Sequence, residues 1–287
     1  MPNELEIISR IRSRARPSRD LVVGIGDDAA VIKTARARDL IVCCDLMVEG
    51  VHFRIGWSEP ELIGRKALAV TLSDVAAMGG AAKFAMASIA LPHHLSPQFI
   101  EEIFRGMFDL ADSCDISIIG GDTSSSRDSL FIDTIAIGEC AEGRAIERRG
   151  AEAGNGIYVT GTLGASALGL LLLEQGLRLS EASESAGQAG RLRREALSKQ
   201  LAPEPRLTAG RLIGEQELAT AMIDISDGLS TDLTHILEES RCGAIIHEEA
   251  IPVAECVRGL SSELKIDPLS LALHSGEEYE LLFTAPP

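Results

Sequence analysis

Aromatic residues are scarce in this sequence: seven Phe, two Tyr and one Trp make up 3% of its 287 residues. A core must therefore be built from Ala, Val, Ile and Leu, which is feasible because 45% of the chain is hydrophobic. Positive charge is the second shortage, with 27 Lys and Arg against 43 Asp and Glu and a net charge of −16. A surface of that sign repels nucleic acid and anionic membranes at long range, so neither is an expected partner. The longest apolar run, "LGLLLL" with its neighbours, is far too short to span a bilayer. The N-terminal "MPNELEIISRIRSRARPSRD" alternates charges and does not read as a secretory leader. None of the six cysteines forms a CxxC pair, which predicts reduced, mostly buried thiols in a cytoplasmic protein. There is no GxxxxGK[ST], so a P-loop is excluded. A phosphate-bearing substrate would need a local source of positive charge, from the few Lys and Arg or from metal ions.

The length favours one large domain or two medium ones. Apolar spacing predicts a short helix over residues 3–12. It also predicts a long buried helix in "ELIGRKALAVTLSDVAAMGG", stopped at Gly79-Gly80, and another opened by Ser-Pro in "SPQFIEEIFRGMFDLADSCD". Short β-branched runs predict strands in "DLVVGIG", "DLIVCCD", "FAMASIALP", "ISIIGGD" and "SLFIDTIAIGEC". Strands and helices alternate without the strict order of a doubly wound sheet. Residues 141–156, "AEGRAIERRGAEAGNG", are charged and poor in large apolar side chains, and place a boundary between domains 1–146 and 147–287. Beyond it, "GIYVTGTLGASALGLLLLEQG" reads as strand, turn and helix, and "LSEASESAGQAGRLRREALSKQ" as a solvated helix with a loop. "PEPRLTAGRLIGE" reads as a helix, "ATAMIDISDGLSTDLTHILEES" as strand, acidic turn and helix, and "GAIIHEEAI" as a strand.

Aspartates recur at one kind of place. "VVGIGDD", "IVCCD", "SIIGGD" and "MIDISDG" each run an apolar strand into a turn that carries Asp. Asp favours turns and helix N-caps, which accounts for any one of these sites alone. Asp74 is different, because it lies inside an apolar helix where an ionised carboxylate is costly unless paired or metal-bound. Lys66 or Arg65, a turn or two away, could pair with it; a hard cation such as Mg²⁺, which prefers oxygen ligands, is the other answer. "LVVGIGDDAAV" also has two readings. It matches the start of a dinucleotide fingerprint, GxGxxA, with Asp45 nineteen residues after Gly26 where a ribose-binding acid belongs. Yet Asp27 and Asp28 sit where a pyrophosphate would lie, and would repel it unless a cation intervened. The Gly-rich "GTLGASALG" suits helix packing as well as phosphate, His52 alone suits the core, and Arg148 and Arg149 either reach a phosphate or solvate the linker.

Taken in order, "GIGDDAAV", "CCDLMVEGVHF", "KALAVTLSDVAAMGG", "IIGGDTS", "YVTGTLGASALGLLLL", "PEPR", "IDISDGLSTDL" and "SGEEYELLFT" resemble the thiamine-monophosphate kinase family across nearly the whole chain. That family groups with aminoimidazole ribonucleotide synthetase, selenophosphate synthetase and a hydrogenase maturation protein, all ATP- and metal-dependent. The resemblance implies an α/β (α+β) two-domain synthetase-like fold. The N-terminal domain, a mixed sheet, forms a barrel across a homodimer, and the C-terminal domain is an α/β sandwich. It implies transfer of phosphate from ATP to thiamine monophosphate in line, giving thiamine diphosphate and ADP, with several Mg²⁺ ions held by aspartates. Asp28, Asp45, Asp74, Asp122, Asp224 and Asp227 match the family's metal ligands, with Asp45, Asp74, Asp122 and Asp227 central to catalysis. Phe104, Gly121, Asp122, Arg148 and Ser226 match nucleotide contacts, and His52 and Glu277 match contacts to the thiamine phosphate. Cys43 and Cys44 stand where the family has hydroxyl residues before its metal-binding Asp, which leaves backbone carbonyls to serve the metal there. "SSSRD" replaces the family's Thr-Arg-Gly, and family members continue past "FTAPP" to supply an aromatic over the substrate, which implies a C-terminal domain without its end. The alternatives are another ATP-dependent member of the superfamily, a non-catalytic nucleotide- and metal-binding relative, and an NAD-dependent dehydrogenase.

Overall fold

A computed structural model describes residues 21–23, 27–34, 37–184 and 187–287. The helix predicted over 3–12 and the Gly24–Gly26 turn lie outside the described residues. The strands are β1 (Leu21–Val23), β2 (Ala30–Lys33), β3 (Arg38–Val48), β4 (Ala81–Pro92), β5 (Ser117–Ser126), β6 (Phe131–Ala141), β7 (Gly156–Val159), β8 (Ala221–Asp224) and β9 (Leu281–Ala285). The α-helices are α1 (Pro60–Ala77), α2 (Pro97–Ser113), α3 (Ala165–Glu174), α4 (Leu179–Glu184), α5 (Gly187–Leu201), α6 (Leu207–Glu215), α7 (Leu229–Ser240), α8 (Glu255–Leu264) and α9 (Pro268–His274).

The first six strands form one mixed sheet in the order β1-β2-β3-β6-β4-β5. Its pairs are antiparallel except β4 and β5, which run parallel because α2 carries the chain across between them. Alternation along β3 and β6 sends Ile41, Cys43, Met47, Ile132 and Ala136 inward onto α1 and α2. The opposite face is apolar as well, and among the described residues nothing covers it: Leu46, Phe84 and Ile119 are exposed there. A smaller sheet, β7-β9-β8, carries the second half, with α3, α5 and α8 in one apolar cluster and α7 and α9 in another.

Helix α1 joins the halves. Gly64 and Gly106 let it meet α2 closely: a Cβ on Gly64 would lie 1.9 Å from the Ile103 carbonyl oxygen, and one on Gly106 1.8 Å from that of Glu61. At its far end Gly210 of α6 rests on the Ala76 carbonyl in the same way. Ala76 and Ala77 then share a buried cluster with Ile146 and with Ile213, Met222 and Leu281 from the second half.

Four expectations are corrected. The dinucleotide reading of "LVVGIGDDAAV" needs a helix after Asp28, but Ala30–Lys33 is a strand paired antiparallel with β3. "ISIIGGD" does not end at its aspartate: β5 runs on through Ser126, held by β4 over its whole length. The polar stretch after α3 forms two helices, and α5 buries Leu192, Ala196, Leu197, Gln200 and Leu201 on one face. "GAIIHEEAI" is not a strand. Among the described residues no neighbour pairs with it, Ile245 is 84% exposed, and its end forms a 3₁₀ turn at Glu248–Ala250. β-Branched residues favour strands only where a pleated partner receives them.

Candidate active site

The strand before Asp28, the helix around Asp74 and the end of β8 at Asp224 bring three carboxylates together. One carboxylate oxygen from each lies within 4.8 Å of the other two. Asp224 is buried and accepts a 2.6 Å hydrogen bond from Ser73 Oγ, so one turn of α1 both supplies a carboxylate and fixes another from the second half. Asp45 projects from β3 toward the same group, and its charge bears on Asp74 and Asp224. Burial pushes the carboxyls of Asp74 and Asp224 well above the usual carboxylate range, helped by the charge of Asp224 on Asp74 and of Asp28 on Asp224, and burial also raises Asp28 and Asp45. Asp27 is pushed up to about 7, by burial first and the charge of Asp28 second.

Neither helical cation answers this charge. Arg65 pairs with Glu204 at 3.0 Å, and Lys66 with Glu277 at 2.9 Å. Arg148 is the cation that reaches in: its Nε donates to Asp28 Oδ1 at 3.2 Å, its second guanidinium nitrogen also contacts Asp28, and its backbone N–H donates to Asp27 Oδ2. Burial works against its charge, but Asp28 beside it more than compensates, so its pKa rises. Even so, among the described residues Asp28 Oδ2 and Asp45 Oδ2 are buried without a hydrogen-bond partner. Orphaned carboxylate oxygens in an all-oxygen donor set fit a hard divalent cation such as Mg²⁺.

Asp227, exposed at the start of α7, belongs to a second group with Asp232 and His235. Asp232 is buried and accepts from the backbone N–H groups of Asp227 and Gly228, and burial first of all raises its carboxyl to about 7. Asp122 and Gly121 stand in mid-β5, opposite Ser88 and Ala87 of β4, and Asp122 is in neither carboxylate group. A Cβ on Gly121 would lie 1.8 Å from the Ala87 carbonyl oxygen, which is a packing reason for glycine there. Phe104 is half-buried and packs on the core between sheet and α2. The thiols are elsewhere: Cys43 Sγ donates to the Thr71 carbonyl at 3.3 Å, and Cys44 is exposed on the opposite sheet face.

His52 is not a core residue. It is exposed in the turn after β3, where its Nδ1 accepts from the Val48 N–H at 3.0 Å and its carbonyl accepts from Lys66 Nζ. Lys66 links it to Glu277, whose other oxygen accepts from Gln200 at 2.5 Å. The Ser226 carbonyl accepts from the Glu277 N–H, which ties the acidic turn to the same segment.

That segment, "SGEEYE", gives each residue a different partner. Glu278, buried, accepts at one oxygen from the N–H groups of Gly164 and Ser166 and from Ser275 Oγ. It thereby fills the N-terminus of α3, so "GTLGASALG" receives an internal carboxylate there instead of a phosphate. Tyr279 packs into the core of the first half, and Glu280 takes Lys199, Arg206 and Thr160. Glu277 and Tyr279 both adopt left-handed backbone conformations, with φ of 58° and 51°, a strained arrangement for such side chains. Ser73, Gln200 and Asp232 were missed in the sequence, with the Ser73-Asp74 pair the one signal toward any of them, and Lys66 was read as a partner for Asp74 where the fold gives it to Glu277.

The family described as "AIR synthase related protein, N-terminal domain" matches residues 26–140, and "AIR synthase related protein, C-terminal domain" matches 152–286. The thiamine-monophosphate kinase of Bacillus subtilis is 38% identical over 283 residues, covering 98% of this chain and 83% of the relative. That of Escherichia coli K12 is 37% identical, covering 99% and 82%. Among solved structures, AaThiL complexed with AMPPCP and TMP superposes with a TM-score of 0.86 at 30% identity, over 98% of this chain and 84% of that one. Thiamine-monophosphate kinase from Stenotrophomonas maltophilia gives 0.79 at 37% identity, over 99% and 86%. The hydrogenase maturation protein HypE in complex with ATP, at 23% identity and a TM-score of 0.68, shares the fold.

Proposed function

The chain belongs to the thiamine-monophosphate kinase family, and from that premise we propose that it transfers the γ-phosphoryl group of ATP directly to the phosphate of thiamine monophosphate, releasing thiamine diphosphate and ADP. The observation that carries the reading is the convergence of Asp28, Asp74 and Asp224 within 4.8 Å, with orphaned oxygens on Asp28 and Asp45. These residues would hold Mg²⁺, joined by Asp227 and, by family resemblance, Asp122. Bound there, Mg²⁺ supplies the positive charge that lets two phosphate anions approach.

The chain's own groups do the positioning. The acceptor phosphate has a second pKa of about 6 and is anionic at neutral pH, so no general base has to activate it. Arg148, already charged beside Asp28, orients the nucleotide phosphates with its planar fork. Gly121, Ser226 and Phe104 border the nucleotide, and His52 and Glu277 face the acceptor. The dehydrogenase alternative loses its support, because its fingerprint needs a helix where β2 stands. The exposed apolar face of the six-stranded sheet supports a homodimer in which two such sheets close into a barrel. The domain boundary falls at 146/147.

The test is a coupled ADP-release assay with ATP and Mg²⁺, with and without thiamine monophosphate, and chromatography for thiamine diphosphate. Product that requires both the acceptor and Mg²⁺ is expected. Mg²⁺-dependent ATP binding without product would instead favour the non-catalytic relative or a different acceptor.

A further inference from the structure

We propose that Lys66 is a positioning residue for the acceptor: it holds Glu277 in its working orientation and makes the acceptor site depend on contact between the two halves of the chain. The proposal rests on the kinase reading and on Glu277 as an acceptor contact.

Lys66 is 3% exposed, yet its ammonium is not a generic helix-surface charge. It lies 2.9 Å from Glu277 Oε1 and 3.3 Å from the His52 carbonyl oxygen. One buried cation thus touches both segments that the family resemblance assigns to the acceptor. A buried lysine that makes one ion pair and one carbonyl contact has a fixed place. The second carboxylate oxygen of Glu277 is held from the other half, by Gln200 Nε2 at 2.5 Å. Gln200 is itself 3% exposed and bonded to Ser166 Oγ. Glu277 sits at φ 58°, a backbone conformation that a glutamate does not adopt without support. Lys66 from α1 and Gln200 from α5 supply that support from opposite sides.

The placement on α1 gives the contact its meaning. Lys66 precedes Asp74 by eight residues, about 12 Å along a helix at 1.5 Å per residue. The same rigid helix therefore carries the carboxylate proposed for the metal and the lysine that sets the acceptor contact. A helix buried on nearly every face cannot shift one without the other. Lys66 thereby fixes the distance between the donor and acceptor sites.

The test compares wild type, Lys66→Met and Lys66→Arg in steady state, varying thiamine monophosphate at saturating ATP and then the reverse. Lys66→Met is expected to raise KM for thiamine monophosphate about tenfold, with KM for ATP changed less than about twofold. Lys66→Arg, which keeps the charge, should recover part of the loss. A lower melting temperature and lower kcat with both KM values unchanged would mark a merely structural lysine and overturn the proposal. Should Lys66→Met fail to fold, Gln200→Leu removes the other support without stranding a charge, and the same selective rise in KM is required of it. Wild-type protein that makes no thiamine diphosphate would overturn the kinase reading itself, a result distinct from wild-type turnover with a normal KM in the variants.

Discussion

Asp74 shares α1 with an almost unbroken run of buried side chains, and its neighbours in space are other carboxylates. Without a cation this arrangement costs stability, because burial and repulsion both disfavour the charged form. Asp74→Asn should therefore raise the melting temperature in EDTA while abolishing turnover. Mg²⁺ should raise the melting temperature of the wild type and not of the variant. Thermal scans with and without Mg²⁺ check both, and a variant that still gained stability from Mg²⁺ would remove Asp74 from the metal site. At this scale the sequence was informative where a residue carries its own signal. Asp28, Asp74 and Asp224 stand out because each is an acid at the end of, or inside, an apolar run. Ser73 could not be paired with Asp224 from sequence, since 151 positions separate them. Lys66 looked like a partner for Asp74 on helical spacing, and only the tertiary fold gives it to Glu277.

Elements, not residues, decide how closely the two halves of the site approach. The α1–α2 crossing depends on two glycines that face backbone carbonyls, so Gly106→Ala should lose about 2 kcal/mol or more, since the overlap outweighs the better helix propensity of Ala. Chemical denaturation reads that loss directly, and an unchanged midpoint would show that the crossing can relax. The start of α3 is a separate case. Glu278→Ala leaves two backbone donors and the Ser275 hydroxyl without their buried acceptor, at a cost of about 2–3 kcal/mol, whereas Glu278→Gln keeps an acceptor in place. Equal stability of the two variants would refute the capping role. Helices α1 and α2 were legible because their apolar spacing and stops are local. The 243–251 segment was not, because a strand is completed by a partner and the sequence does not state whether one is present. The dinucleotide alternative for "LVVGIGDDAAV" failed for a related reason: the helix it requires after Asp28 is compatible with "AAVIK" until β3 pairs with it.

The whole molecule presents an imbalance that neither residues nor elements explain. One face of the six-stranded sheet is filled by α1 and α2, while the other exposes Leu46 on β3, Phe84 on β4 and Ile119 on β5. Among the described residues β5 is also an edge strand, with β4 on one side only. An apolar sheet face beside an open edge is an aggregation liability unless a defined partner covers it. A second copy of the chain presents the same face and the same edge, so a twofold arrangement satisfies both at once. Leu46→Glu combined with Phe84→Glu should therefore halve the mass measured by light scattering, with little loss of thermal stability in the separated subunits. Cys44 supplies an independent reading, because it is exposed on that same face. Its alkylation should be slow in the wild type and fast in the double variant. Rapid modification of Cys44 in wild-type protein, or an unchanged mass in the variant, would mean that the face is open in solution. The fold would then have to be stable with that surface in water, and the barrel would not form.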